Sequence, residues 1–252
     1  MEVWRLFNAQ KVTEYIASWM RELTLSAGAK GGIFGVSGGL DSAVVVGLAK
    51  RAWGEDCLGL VLPCYSQDED VKDAIDVLNH FNCRYKVIDL GPQFDSLKEM
   101  LPPAPSGHVL PEANLKPRLR MTTLYYFANL MNYMVVGTTN KSEWFVGYFT
   151  KYGDGGVDML PLADLAKSEV REVARYLGVP DRIINKVPSG GLWKGQTDEA
   201  EMGLSYEDLD AYVLGKKISS EVELKILDMH TKTEHKRNIP PIPGISKDLK
   251  EE

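Results

Sequence analysis

The stretch Gly35-Val36-Ser37-Gly38-Gly39-Leu40-Asp41-Ser42 gathers three glycines, two hydroxyls and one carboxylate within eight residues. Glycines let backbone N–H groups approach a ligand with no Cβ in the way. The apolar run ahead of it, GGIFGV (31–36), reads as a short buried strand, and residues 40–52 behind it read as an apolar helix. A helix N-terminus offers unpaired donors and partial positive charge, which suits phosphate. Ser37 and Ser42 add hydroxyl donors. Asp41 would repel a phosphate unless a cation lay between, so the loop predicts an anion bound together with a divalent metal. No lysine follows the glycines, which excludes a Walker loop, and the G-x-G-x-x-G spacing of a dinucleotide fingerprint is absent. The plainer alternative is a strand-to-helix turn capped by Ser or Asp.

The elements that must position this loop alternate between strand and helix. Residues 57–62 (CLGLVL) form a continuous apolar run of the kind found in a strand buried on both faces. A helix is expected over 67–81, with Val71, Ala74, Ile75 and Leu78 facing inward, then a strand over 85–90 and a short helix ending at Met100. A helix over 122–131 and a strand over 133–137 follow, and a helix over 164–177 with Asp164 as its cap. This order implies an α/β fold in one domain over 1–252, a parallel sheet with helices on both faces. Residues 1–25 read as an amphipathic helix for the core or a partner subunit. Four prolines within 101–111 predict a mobile loop, and residues 233–252 a basic patch followed by an extended tail.

Composition narrows the class. Hydrophobic residues make up 44% and charged residues 25% of the 252, as in an ordinary soluble globular protein. A net charge of −6 argues against a general nucleic-acid surface, and no apolar run is long enough to span a membrane. Three cysteines without CxxC spacing argue against a disulfide framework, and four scattered histidines give no zinc motif. The expected location is the cytoplasm. Cations do gather locally: Lys116, Arg118 and Arg120 lie just before the helix at 122. In open α/β sheets ligands bind beyond the carboxyl ends of the strands. Thr138, Thr139, Asn140 and Glu143 fall at that edge. The glycine-rich stretch 149–158 reads as a tight loop around Lys151. Lys167 in a helix's first turn opposes the helix dipole and is best explained by a nearby anion.

Ser-Gly-Gly-Leu-Asp-Ser (37–42) resembles the pyrophosphate loop of the N-type ATP pyrophosphatases, with their Rossmann-like, adenine nucleotide alpha hydrolase-like fold. Later blocks select the member. GTTNKSE (137–143), TKYGDGGVD (150–158), PSGGLWKGQTDEAEMGLSYEDLD (188–210) and TEHKR (233–237) are similar to the ammonia-dependent NAD synthetases. The resemblance implies amidation of deamido-NAD with ammonia and ATP, through an acyl adenylate, giving NAD, AMP and pyrophosphate in the last step of NAD biosynthesis. It implies that Gly35, Val36, Ser37, Gly38, Gly39, Leu40, Asp41 and Ser42 hold ATP phosphates, and that Thr138, Lys167 and Ser189 also contact ATP. The family often has threonine where Ser189 stands, and the hydroxyl is kept. Asp41 and Glu143 would be magnesium ligands and, with Lys167, would carry the catalysis. Arg118, Lys151, Asp158, His235 and Lys236 match positions that contact deamido-NAD. The family is homodimeric, with residues 1–25 and 122–132 as candidate interface helices. A glutaminase is not expected, because no cysteine sits in a nucleophile setting. Two rivals stand beside this reading. One is another adenylating relative, tRNA-thiolating or GMP-forming. A tRNA enzyme would be expected to carry RNA-binding surface or a catalytic cysteine pair, and GMP synthetases share the loop but not the later blocks. A non-catalytic nucleotide-binding regulator would have no reason to keep Asp41, Glu143 and Lys167 together.

Overall fold

The computed structural model describes residues 7–191, 195, 197–246 and 250. The chain opens with α1 (Ala9–Ser26), then β1 (Gly31–Gly35), α2 (Leu40–Trp53), β2 (Cys57–Val61), α3 (Asp68–His80), β3 (Tyr85–Val87) and α4 (Gly91–Met100). A short α5 (Leu110–Ala113), the long α6 (Leu115–Met131) and β4 (Tyr133–Val136) follow, then α7 (Lys141–Val146) and α8 (Lys167–Leu177). The remainder is helical: α9 (Asp181–Ile184), α10 (Asp198–Met202), α11 (Tyr206–Val213), α12 (Ser220–Lys232) and α13 (Glu234–Arg237).

The four strands run parallel in the order β3-β2-β1-β4. Because strand side chains alternate between faces, each strand feeds two cores. Phe34, Val36, Cys57, Val61 and Val136 pack with α1, α2, α3 and α8 on one face. Ile33, Leu58, Leu60, Leu62 and Val135 pack with α4 and α6 on the other. Each such apolar side chain, once buried, contributes about 1.5–3 kcal/mol. A third cluster, around Val146, Met202, Leu204, Tyr206, Leu209 and Ile226, joins α7 to α10, α11 and α12. The parallel sheet with helices on both faces matches the reading of the sequence.

Four local expectations are corrected. The strand at 85–90 is only three residues long, and its edge position leaves Tyr85–Val87 exposed. The loop at 101–111 ends in α5, whose first turn accepts Pro111 because its missing N–H has no helical partner there. The helix expected from 122 begins at Leu115 for the same reason: Pro117 lies in its first turn. Thus the basic cluster is on the helix, not ahead of it. Asp164 is not a cap, since α8 begins at Lys167 after Ala166.

From β1 the chain goes first to β2 on one side and later to β4 on the other. The carboxyl ends of β1 and β4 therefore flank the point where the winding reverses, and both site-bearing loops start there.

Candidate active site

Gly38 has φ +80°, a left-handed backbone that suits glycine, and a Cβ there would sit 2.3 Å from the Asp70 carbonyl. The turn is pinned from within: Ser42 Oγ donates to the Gly39 carbonyl at 2.9 Å, and Ser37 Oγ lies 3.2 Å from Ser42 Oγ. No side chain caps α2 behind Gly39, so its first N–H groups face the loop. Outside the loop, Lys186 Nζ reaches the Gly38 carbonyl at 3.3 Å, Asp70 at 2.8 Å and Asp73 at 2.6 Å.

On the next loop Asn140 caps α7, accepting from the Glu143 N–H at 3.0 Å, while Glu143 Oε2 accepts from the Asn140 N–H at 3.3 Å. This capping box fixes the Glu143 backbone and side chain together. Asn140 Nδ2 also donates to Asp41 Oδ1 at 3.1 Å, which joins the two loops. Between the carboxylates lies Lys167, whose Nζ is paired with Asp41 and sits 3.3 Å from Glu143 Oε1. Its side chain is 3% exposed, against 16% for Asp41 and 13% for Glu143, so this is a buried cation bridging two acids. Burial pushes the Lys167 ammonium down, but Asp41 and Glu143 outweigh it and hold its pKa well above the usual value. For Glu143 burial leads, helped by the like charges of Asp41 and Asp198, and its carboxyl is pushed up to about 7 against the pull of Lys167.

Tyr206 extends the network. Its hydroxyl lies 2.8 Å from Glu143 Oε1 and 3.0 Å from Asp198 Oδ2, and its ring lies 4.8 Å from Lys167 Nζ. Tyr148 continues it to Asp198 at 3.1 Å and Glu201 at 2.7 Å. Each hydroxyl has one proton to share between two carboxylates. Burial drives the Asp198 carboxyl and both phenols above their ordinary values. Sequence reasoning assigned no role to Asn140, Tyr206, Asp198 or Tyr148. Asn140 showed only as part of the polar set after β4, Asp198 and Tyr206 only as members of the 188–210 block, and Tyr148 lay in none of the blocks.

A second group gathers at the far end of α7. Arg118 Nη2 approaches the Lys151 carbonyl at 3.4 Å, and Lys151 Nζ donates to the His235 carbonyl at 2.6 Å. Lys236 Nζ donates to the carbonyls of Gly147 and Phe149, both at 2.8 Å, and Arg237 to that of Trp144 at 3.4 Å. The basic patch thus serves first to satisfy carbonyls at the end of a helix, where cations are favoured. Asp158 accepts from Tyr125 and from the Val135 N–H, both at 2.8 Å. The other two cations of α6 part from Arg118. Lys116 is buried over the Tyr65 and Phe94 rings, and Arg120 donates to the Leu62 carbonyl at 3.0 Å. Thr138 is half-buried after β4, and exposed Ser189 accepts from the Gly191 N–H at 3.2 Å. Residues 192–194 and 196 of the 188–210 block lie outside the described residues.

Asp41 and Glu143 offer hard carboxylate oxygens to one shared centre, a donor chemistry that suits magnesium. Among the described residues no third His, Cys, Asp or Glu joins them as a ready-made metal cage. A metal here would complete its shell with water and with oxygens from a phosphate-bearing substrate.

The family model described as NAD synthase matches residues 12–240. The chain belongs to the NAD synthase family. It is 50% identical over 94% of its length to the NH(3)-dependent NAD(+) synthetase of Carboxydothermus hydrogenoformans, covering 99% of that protein. It is 46% identical to the NH(3)-dependent NAD(+) synthetase of Archaeoglobus fulgidus, covering 94% of this chain and 98% of that one. Among solved structures, NMN synthetase from Francisella tularensis matches with TM-score 0.89 and 36% identity over 95% of this chain and all (100%) of that one. The NH3-dependent NAD synthetase of Campylobacter jejuni matches with TM-score 0.78 and 28% identity, over 93% and 99%. The family assignment agrees with the reading of the sequence blocks, and the enzymes of this family are carbon–nitrogen ligases.

Proposed function

We propose that this NAD synthase family member amidates deamido-NAD with free ammonia, consuming ATP and releasing NAD, AMP and pyrophosphate. The observation that carries the reading is the Lys167 ammonium held between Asp41 and Glu143 at the mouth of an uncapped glycine loop. The loop N–H groups and the α2 N-terminus receive the β- and γ-phosphates. Thr138, Lys167 and Ser189 contact ATP, and Lys167 neutralises charge as the α-phosphate is attacked. A nicotinate carboxylate oxygen forms a bond to that phosphorus while the bond to pyrophosphate breaks. Ammonia then adds to the acyl carbon, AMP leaves, and the nitrogen gives up a proton as the amide forms. Magnesium held by Asp41 and Glu143 would screen the phosphate charge from the carboxylates and make pyrophosphate a better leaving group. Arg118, Lys151, His235 and Lys236, gathered near the far end of α7, bind deamido-NAD together with Asp158, which is held between α6 and β4. α7 therefore spans both substrates, with Glu143 in its first turn and Gly147 at its end.

The enzyme works as a homodimer in the cytoplasm. Its three cysteines are free and buried, as suits a compartment where thiols stay reduced. Among the described residues no helix is long and apolar enough to cross a membrane. α6 leaves Tyr126 65% and Leu130 68% exposed, an apolar patch farther along the helix that carries Arg118, which a second copy would cover.

The test is the formation of NAD from deamido-NAD, ATP and magnesium, with ammonium and glutamine supplied in parallel. NAD and AMP with ammonium alone support the reading; activity with neither overturns it. One observation favours a second reading. The 36% identical Francisella protein is an NMN synthetase, which makes nicotinate mononucleotide the second candidate for the acid amidated. Running both acids in competition decides between them by the ratio of their kcat/KM values.

A further inference from the structure

Helix α8 starts without a cap of its own. Ala166 stands at the N-cap position and has no oxygen to offer the first N–H groups. Glu169 satisfies only the Ala166 N–H, at 2.9 Å. The missing acceptor arrives from α11. Asp210 Oδ1 accepts from the Lys167 N–H at 3.1 Å, and Oδ2 from the Ser168 N–H at 2.6 Å. Oδ1 also accepts from Ser142 Oγ at 2.5 Å, and Ser142 immediately precedes Glu143 in α7. Asp210 is 7% exposed, Lys167 2% and Ser142 0%, so none of these groups has ready access to water as a substitute partner.

One carboxylate therefore touches the backbone of Lys167 and the neighbour of Glu143 at once. It touches neither reacting group: its bonds go to the Lys167 N–H, while the ammonium of the same residue meets Asp41 and Glu143. Tyr206 lies four residues before Asp210 in α11, on the same helix face, and reaches the Glu143 carboxylate. A single short helix thus supports Glu143 through Tyr206, and Lys167 and α7 through Asp210.

We propose that Asp210 is a positioning residue of the reaction, holding the α8 start and α7 so that Lys167 and Glu143 converge on Asp41. The inference rests on the reading of Lys167 and Glu143 as the reacting centre.

The test uses the full-length enzyme and three variants. Asp210→Asn keeps the shape but turns one acceptor into an amide donor facing an N–H or hydroxyl. Ser142→Ala removes the link from Asp210 to α7, together with the longer bond of 3.4 Å that Ser142 Oγ accepts from the Lys167 N–H. Met20→Ala, at a buried core position of α1, lowers the melting temperature without removing any of these hydrogen bonds. Asp210→Asn should lower kcat about 10- to 100-fold, as loss of supporting contacts around a reacting group does. Its KM for deamido-NAD should stay at the wild-type value, and adding Ser142→Ala should cost nothing more. Met20→Ala should keep its kcat at temperatures where it is folded. Wild-type kcat in Asp210→Asn, or an equal kcat loss in Met20→Ala at the same melting temperature, would overturn the proposal. If Asp210→Asn does not fold, Ser142→Ala decides: a several-fold loss of kcat supports the proposal, and wild-type kcat overturns it. Should the wild type itself make no amide, the reaction reading fails separately. Amide exchange then decides the rest: faster exchange at Lys167 and Ser168 in Asp210→Asn, with α2 unchanged, supports the positioning role, and unchanged exchange overturns it.

Discussion

Lys167 occupies a place that only its two partners make tenable. Its side chain is 3% exposed, and an ammonium so buried would shed its proton were Asp41 and Glu143 not beside it. Removing the cation leaves two largely buried carboxylates without it, and breaking a buried pair in this way destabilises by up to about 3–5 kcal/mol. Lys167→Met should therefore unfold at lower urea concentration and lose turnover. Those same carboxylates would then be neutralised by a bound metal or by a proton on Glu143, whose carboxyl is already pushed up. Magnesium should raise the melting temperature of Lys167→Met more than that of the wild type, and an equal rise would count against Asp41 and Glu143 as its ligands. Gly38 gives a second test. At φ +80° an alanine adds roughly 1–2 kcal/mol of backbone strain, and its Cβ would meet the Asp70 carbonyl at 2.3 Å. Gly38→Ala should raise KM for ATP while KM for deamido-NAD holds, measured by initial rates with each substrate varied in turn.

Between elements, the contact of α3 with α9 and the segment just after it supports the glycine loop from below. Arg182 meets Asp73 at 3.3 Å and Asp76 at 2.8 Å, while Lys186 joins Asp70, Asp73 and the Gly38 carbonyl. Burial pushes the Asp73 carboxyl up, but Lys186 and Arg182 outweigh it and hold the pKa below the usual range. A depressed folded value means stability that is complete above the unfolded value of about 3.9 and is lost as pH falls through the folded one. The stability gap between wild type and Asp73→Asn should be full at pH 7 and shrink below about pH 4. Urea midpoints across that range measure it, and a gap that grows with acid would refute the pairing. What the sequence made legible among the elements follows from locality. β1, α2, β2 and β4 declare themselves through apolar runs and glycine turns. α8 hid its start because its cap, Asp210, lies 43 residues beyond Lys167. α6 hid its start because Pro117 looks like a breaker and is tolerated in a first turn. At the site, Asp41, Glu143 and Lys167 stood out as charges at strand ends or helix starts. Tyr206 could not, because an apolar ring in a helix reads as core until the fold places its hydroxyl against Glu143, 63 residues earlier in the chain.

On the scale of the whole molecule, the two faces of the sheet are not equivalent. One is sealed by α1, α2, α3 and α8, with Met20, Val44, Val45 and Leu48 fully buried. The other is covered by α4 and α6, and α6 turns Leu124 and Ala128 inward while leaving Tyr126 and Leu130 outward. Those two residues are four apart, so they share one outer face of the helix. Arg118 stands exposed in the same helix and reaches toward Lys151, so that surface runs on to the cations proposed to bind the dinucleotide. A second copy packed there would exclude water from the apolar face and enclose the dinucleotide from the open side. Leu130→Glu puts a charge into that interface without entering either core. It should halve the mass found by sedimentation at low micromolar protein, raise KM for deamido-NAD and leave ATP binding unchanged. A wild-type enzyme that is monomeric and fully active at nanomolar concentration would remove the dimer from the account. A Leu130→Glu variant that stays dimeric would move the interface elsewhere, with the exposed Tyr15 and Leu25 of α1 as the next surface to test.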